Sequence, residues 1–194
     1  DRWGSRGLGD VYKRQVMLPP YITSKRKMRA SDNEDYQTIF SKKDGSIAAP
    51  TAGLHFTEGL IKEINKKGIN FERITLNINL GTFSPLRNEN VKENNLHSEH
   101  CYISEQTVKK LNEAKANKKQ RIISVGTTAL RSLETSFNGD EFVPINCKTN
   151  KFIYPGIEIN SIDALITNFH LPRSSLFILI CALMGTQNML DAYN

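Results

Sequence analysis

Cysteine is scarce in this sequence, and a long apolar run is missing. Cys101, Cys147 and Cys181 form an odd set with neither CxxC nor Cys/His metal spacing. That argues against a disulfide framework or a metal site, and for free thiols in a reducing cytosol. The longest apolar run, Leu176 to Met184, is nine residues, whereas a helix crossing a bilayer needs about 20. The run therefore reads as a buried helix, with no membrane partner. No G-x-x-x-x-G-K-[ST] loop occurs, which argues against a P-loop nucleotidase, and no G-x-G-x-x-G follows a strand pattern to support a Rossmann site. G-x-S-x-G is absent as well, so there is no nucleophile elbow. Only four histidines are present, which gives their positions weight.

What remains is an ordinary globular composition, 39% hydrophobic and 24% charged over 194 residues. That is enough for one good core, or a domain plus part of another. The formal charge is +6, of which Arg2, Arg6, Lys13 and Arg14 against Asp1 and Asp10 supply +2, leaving +4 on residues 16–194. Such an excess permits a nucleic-acid partner without demanding one. Residues 1–15 show neither helical nor strand periodicity and are too polar for a signal peptide. Their ending, Gly7 to Gln15, resembles a translated linker tail, so the stretch is expected to be non-native. Both ends of the chain read as cut.

Along the chain, Met17 to Ile22 is expected to be extended, because a residue before proline is pushed towards the β or polyproline region. Lys25, Arg26, Lys27 and Arg29 follow, either a solvated linker or a contact for RNA phosphates. Ser31 and Glu34 match a capping box for a short helix through Tyr36, Ile39 and Phe40, closed by Gly45. Thr57 can cap a helix carrying Leu60, Ile61 and Ile64 on one face, with Gly68 after its end. Ile74, Leu76, Ile78 and Leu80 then alternate with polar residues, a strand pattern, before a long polar loop from Gly81 to Glu99. Further strands are expected at residues 100–103, 121–125, 152–154 and 162–166, with a turn at Asn138-Gly139-Asp140 and another at Pro155-Gly156. Helices are expected at 104–117, 127–137 and 174–184. Alternating strands and helices predict an α/β fold, barrel-like or with a largely parallel sheet and flanking helices.

Three polar clusters interrupt this pattern: Ala48 to Phe56, Gly126 to Arg131, and Thr167 to Pro172. Each crowds small residues, hydroxyls and a His or Arg into a junction between apolar segments. Gly126 follows a strand and opens a helix, the place where open α/β sheets bind ligands. There Thr127, Thr128 and Arg131 could receive a carboxylate or phosphate, or act as ordinary caps and a surface cation. Thr167, Asn168 and His170 sit at the end of another strand. His55 follows Thr51 and Gly53, whose small side chains would let a ligand approach the backbone. His97 and Glu99 place a base and an acid two residues apart. Each histidine could also be a packed residue or part of a solvated loop. Three of the four histidines nevertheless fall in these places.

Together these residues resemble one family, the S-adenosylmethionine:tRNA ribosyltransferase-isomerases of queuosine biosynthesis. The matching blocks are Leu18 to Ile22, Asp35 to Thr38, Ala48 to Phe56, Gly81-Thr82-Phe83, His97-Ser98-Glu99, Gly126 to Thr128 with Arg131, Phe152 to Gly156, and Asp163 with Thr167 to Pro172. The chain departs from the family pattern at Leu76-Asn77-Ile78-Asn79, where a Leu-His-Val-Gly type sequence is usual, and at Asn94-Asn95-Leu96. The resemblance implies a barrel-like α/β domain with a small β domain inserted. Residues 16–30 would be the end of the β domain and a linker, and residues 31–194 the incomplete catalytic domain.

The resemblance also implies a reaction. S-adenosylmethionine, as co-substrate, would give up its ribosyl group to the 7-aminomethyl-7-deazaguanine at the tRNA wobble position, forming epoxyqueuosine with loss of adenine and methionine. A base must remove a proton beside the sulfonium and an acid must help adenine leave. His55, His97, Glu99 and His170 are the titratable candidates. Thr51, Gly53, Gly81, Thr82, Gly126, Thr127, Thr128, Arg131, Thr167 and Asn168 are the expected binding residues. No metal is expected, and the protein should be a cytoplasmic monomer acting on tRNA. A non-catalytic tRNA-binding domain and an α/β transferase acting on a small nucleotide remain as rival readings.

Overall fold

The computed structural model describes residues 18, 20–41, 49–77, 86, 88 and 90–194. Residues 1–17, Gly45, Ile78 to Leu80, Gly81 and Thr82 carry expectations that lie outside the described residues.

The first part of the chain is made of short turns. Helix α1 (Pro20–Thr23) replaces the expected extended segment: proline at a first helical position lacks only an N–H that would have no partner there. Helix α2 (Asp32–Asp35) is four residues long, and Ser31 makes no side-chain cap bond. Asp32 does the local work instead. Its carboxylate accepts from the Arg29 N–H at 2.7 Å and from both terminal nitrogens of Arg26 at 2.6 and 2.8 Å. The Arg26 guanidinium, first, and the Arg29 N–H hold this carboxyl down to about 2. Arg26 is therefore occupied within the protein, whereas Lys25, Lys27 and Arg29 are exposed.

A 3₁₀ turn (Thr51–His55) is followed by α3 (Glu58–Lys66), which Thr57 caps by accepting from the Leu60 N–H at 3.1 Å. Gly68 follows at φ +77, where a left-handed residue closes the helix. Strands β1 (Thr75–Asn77), β2 (Glu99–Ile103) and β4 (Ile145–Thr149) form an antiparallel sheet in the order β1-β2-β4. Among the described residues only β3 (Ile123–Val125) and β5 (Ala164–Ile166) pair in parallel. Among the described residues, then, no closed sheet is present and antiparallel pairing dominates, contrary to the expected largely parallel sheet. The physical reason is β4. It follows the helix Thr127–Ser136 by way of the turn at Asn138-Gly139-Asp140 and runs back beside β2, so that Ile103 faces Ile145 and Glu99 faces Thr149. Residues 152–154 form no strand, but the turn at Gly156 forms with φ +100.

The helices expected at 104–117, 127–137 and 174–184 form in their places. Ser104 caps α4 (Glu105–Ala116) and Ser174 caps α6 (Ser175–Met184), each side chain accepting from the N–H three residues on. The core joins Ile103 of β2, Val108 and Leu111 of α4, Leu130 and Leu133 of α5 (Thr127–Ser136), and Leu179 and Ile180 of α6. Leu130 is fully buried, which stabilises the fold by about 1.5–3 kcal/mol relative to an exposed leucine. Beyond the expected elements lies α7 (Thr186–Tyr193), folded back on α6 through Gly185 at φ +86. Among the described residues no single helix is long and apolar enough to cross a membrane; α6 and α7 are together long enough but bend by 116°. All three cysteines are free thiols. Cys101 and Cys147 face each other across β2 and β4, and burial pushes the Cys101 thiol up to about 11.

Candidate active site

The sequence-predicted site residues fall into two groups that the fold treats differently. The first is gathered by the loop after β5. Asn168 Nδ2 lies 3.0 Å from His55 Nε2, across 113 residues of sequence. An amide nitrogen can only donate, so a neutral His55 accepts at Nε2 and carries its proton on Nδ1. Thr167 Oγ1 lies 3.1 Å from His170 Nε2. Two imidazoles 115 positions apart are thus held by neighbouring residues of one short loop.

Local packing explains why these side chains are presented. Phe56, next to His55, is buried in an aromatic group with Phe40 and Phe71, at centroid distances of 5.9 and 5.8 Å. Ala52 and Gly53 are buried too, leaving His55 exposed on the outer side of the turn. Gly53 does not serve the expected purpose of admitting a ligand: a Cβ there would meet Phe40 and Thr38 at 3.1 Å. The residue is small because its neighbours pack against it. Thr51, at the start of the turn, is half-buried. Gly126, at φ +95, donates its N–H to the Ile166 carbonyl at 2.9 Å and abuts Ala52. The start of α5, the 3₁₀ turn and the loop after β5 therefore adjoin. Thr127 and Thr128, the first two residues of α5, are buried behind this junction.

His170 is half-buried, and burial lowers its pKa to about 4. It is a neutral imidazole at neutral pH, suited to giving or accepting a hydrogen bond. His55 is exposed, so it is the better placed of the two to exchange protons with solvent. Asn168 Oδ1 is buried without a hydrogen-bond partner among the described residues, leaving one acceptor unfilled beside His55.

The second group is internal. Arg131 Nη1 donates to Glu99 Oε2 at 2.8 Å, with the side chains 3% and 1% exposed, and Arg131 Nε donates to the Lys151 carbonyl at 2.9 Å. Burial lowers the Arg131 pKa from its ordinary value, and Glu99 opposes that shift. Where a ligand anion was expected, the Glu99 carboxylate takes Arg131 Nη1, and Arg131 Nη2 is buried without a hydrogen-bond partner among the described residues. His97 and Glu99, expected to act as neighbours, are separated by burial: His97 is exposed and Glu99 enclosed. The guanidinium at position 131 thus does not share the surface held by His55 and His170. A groove of about 410 Å³ along residues 102–106 and 144–146 contains none of these residues. Among the described residues no three His, Cys, Asp or Glu side chains stand close enough to hold a metal ion.

Sequence reasoning missed Tyr193. Its hydroxyl accepts from the His170 N–H at 2.8 Å, and its ring meets Phe169 and Phe177 at 4.9 and 5.0 Å. Nothing in the local pattern pointed to it, because its contact with residue 170 depends on the turn between α6 and α7.

The chain as a whole is similar to known proteins. The pattern of a family described as queuosine biosynthesis protein matches residues 12–194. An S-adenosylmethionine:tRNA ribosyltransferase-isomerase of Thermosipho melanesiensis is 48% identical over 180 residues, covering 93% of this chain and 52% of that protein. One from Staphylococcus aureus is 47% identical, covering 92% and 51%. The crystal structure of an S-adenosylmethionine tRNA ribosyltransferase from Thermotoga maritima superposes with a TM-score of 0.59 at 39% identity, over 73% of this chain and 44% of that one. The chain spans about half the length of the curated relatives it matches. With the pattern matched across nearly its whole sequence, the chain belongs to the queuosine biosynthesis protein family.

Proposed function

We propose that this chain is the catalytic part of an enzyme that transfers and isomerises the ribosyl group of S-adenosylmethionine onto the 7-aminomethyl-7-deazaguanine of tRNA, releasing adenine and methionine. The observation that carries the site is the attachment of His55 and His170 to one loop through Asn168 and Thr167. Family membership and relatives named for this activity support the chemistry.

In this reading His55 exchanges the proton beside the sulfonium or at the departing adenine, and Asn168 orients its ring. His170, kept neutral by burial, supplies a hydrogen bond through Nε2, shared with Thr167. Thr51 and Gly126 to Thr128 form the wall behind them. Glu99 and Arg131 lock β2 to α5 and so hold that wall in place; His97 stands on the approach to β2. Gly81 and Thr82 remain expected ligand contacts on the strength of the sequence resemblance. The exposed Lys25, Lys27 and Arg29 are the cations offered to tRNA phosphates. The enzyme is proposed to work in the cytoplasm as a monomer, without a metal, and residues 31–194 are its α/β catalytic domain.

The test uses a full-length enzyme of the family carrying residues 16–194 of this chain. His55→Ala and His170→Ala should each cut adenine release by a factor of about 10² or more. Wild-type release by either variant removes that residue from the mechanism.

A further inference from the structure

The loop from Thr167 to Ser174 is firmly tied down, yet it holds an aromatic ring in solvent. The His170 N–H donates to Tyr193 Oη at 2.8 Å and Ser174 Oγ donates to the Leu171 carbonyl at 2.6 Å. Arg173 sits at φ +59, in the left-handed region that side chains rarely occupy. Such strain persists only where the surrounding structure imposes it, and it collects at ligand sites. Within this restrained loop Phe169 is 80% exposed, more than any other large hydrophobic side chain described. Its brace is a tilted contact with Tyr193, at 4.9 Å and 67° between planes, and Tyr193 leans in turn on Phe177. A single tilted contact leaves most of the ring surface open. In the chain Phe169 lies between Asn168, which bonds His55, and His170, its Cα about 3.8 Å from each neighbour's, and its ring and the His170 N–H share Tyr193 as partner.

We infer that Phe169 is a stacking platform for a purine-like base, an inference that rests on the ribosyl-transfer reading above. A base offers its π-face whatever its edge pattern, and stacking on an aromatic side chain strengthens binding by about tenfold to a hundredfold. Both substrates of the proposed reaction carry such a base: the adenine of S-adenosylmethionine and the deazaguanine of the tRNA. An aliphatic side chain of similar bulk would match the apolar area but not the stacking geometry.

The experiment uses the full-length enzyme carrying residues 16–194 of this chain, with Phe169→Ala, Phe169→Leu and Phe169→Trp variants. Ile69→Ala serves as a control, since Ile69 is 53% exposed and outside the site. S-adenosylmethionine is titrated without tRNA, and precursor-bearing tRNA without S-adenosylmethionine. The Ala and Leu variants should weaken one of these ligands by about tenfold or more, while Trp preserves affinity and Ile69→Ala changes neither. A loss confined to S-adenosylmethionine identifies the base as adenine, and one confined to tRNA identifies it as the deazaguanine. Leu binding both ligands as tightly as Phe overturns the inference. So does a variant set in which Ala lowers the melting temperature, Leu restores it and neither affinity moves, which would make the ring a packing residue. If the parent enzyme releases adenine and all variants bind alike, this inference alone falls. A parent enzyme that binds neither ligand overturns the ribosyl-transfer reading with it.

Discussion

Two polar regions of this molecule have similar composition and opposite character. Around α5, Arg131 and Glu99 are sealed in the interior, and Glu134 accepts from the Asn160 and Ser161 N–H groups at 3.0 and 2.8 Å. Ser132, Thr135 and Ser136 bond main-chain carbonyls within the same region. Most of those polar groups are spent on one another, while Arg131 Nη2 and Ser161 Oγ are buried without a hydrogen-bond partner among the described residues. Around the loop after β5, by contrast, His55 is exposed, Asn168 keeps an unfilled acceptor, His170 is held neutral and Phe169 stands in water. Most buried polar groups are satisfied within the fold, whereas the groups around the loop after β5 keep more of their surface exposed. Exposure distinguishes the two regions where residue type does not, since both contain the threonines and charged or titratable side chains that suggest a site.

The comparison is broken most severely by stranding a charge in the first region. Arg131→Ala leaves the Glu99 carboxylate buried without its ion-pair partner and should cost about 3–5 kcal/mol of stability, read by urea unfolding of the full-length enzyme. Replacing both, as Glu99→Gln with Arg131→Met, should recover most of that loss. A single variant as stable as the parent would mean the pair does not lock β2 to α5.

A smaller effect comes from acid. The His170 pKa is lowered from 6.5 to about 4, so its contribution to stability is intact above pH 6.5 and is lost as pH falls towards 4, where the unfolded chain takes up the proton first. Asp32, lowered from 3.8 to about 2, acts in a separate window: its contribution is present above pH 3.8 and lost towards pH 2. Unfolding measured between pH 7 and 4 should therefore show a slope that His170→Gln removes. An unchanged slope would show that His170 is not the group responsible.

The mildest change concerns the basic stretch. Lys25→Ser with Lys27→Ser should reduce the salt dependence of tRNA affinity by about one unit of log–log slope per lost phosphate contact. Arg26 belongs with Asp32 and is left alone. An unaltered slope returns both lysines to plain solvated surface.

Much of the local structure was legible because it depends on neighbours in sequence. Thr57, Ser104 and Ser174 each cap the helix they precede, as hydroxyls before an amphipathic or apolar segment should. The capping box at Ser31 failed because Asp32 turned its carboxylate back to Arg26 and Arg29 instead. Strand β4 escaped notice although Ile145, Cys147 and Thr149 share one face, since Pro144 and Asn146 make the segment look like a loop. Helix α7 was hidden because Gly185 both ends α6 and begins the next helix.

The sequence by itself settled the family likeness, the Thr57 cap, the main helices and the loop of Thr167 to His170, all of which rest on short-range spacing. Only the tertiary structure decided that His55 meets Asn168 while Arg131 meets Glu99. A side chain's partner across more than thirty residues is chosen by strand order and helix packing, and the antiparallel return of β4 could not be read from the pattern of β2 alone. Burial then sets them apart: it pairs an arginine that resembles an anion binder with a carboxylate of the protein, and it keeps an imidazole neutral next in sequence to a ring left open to water.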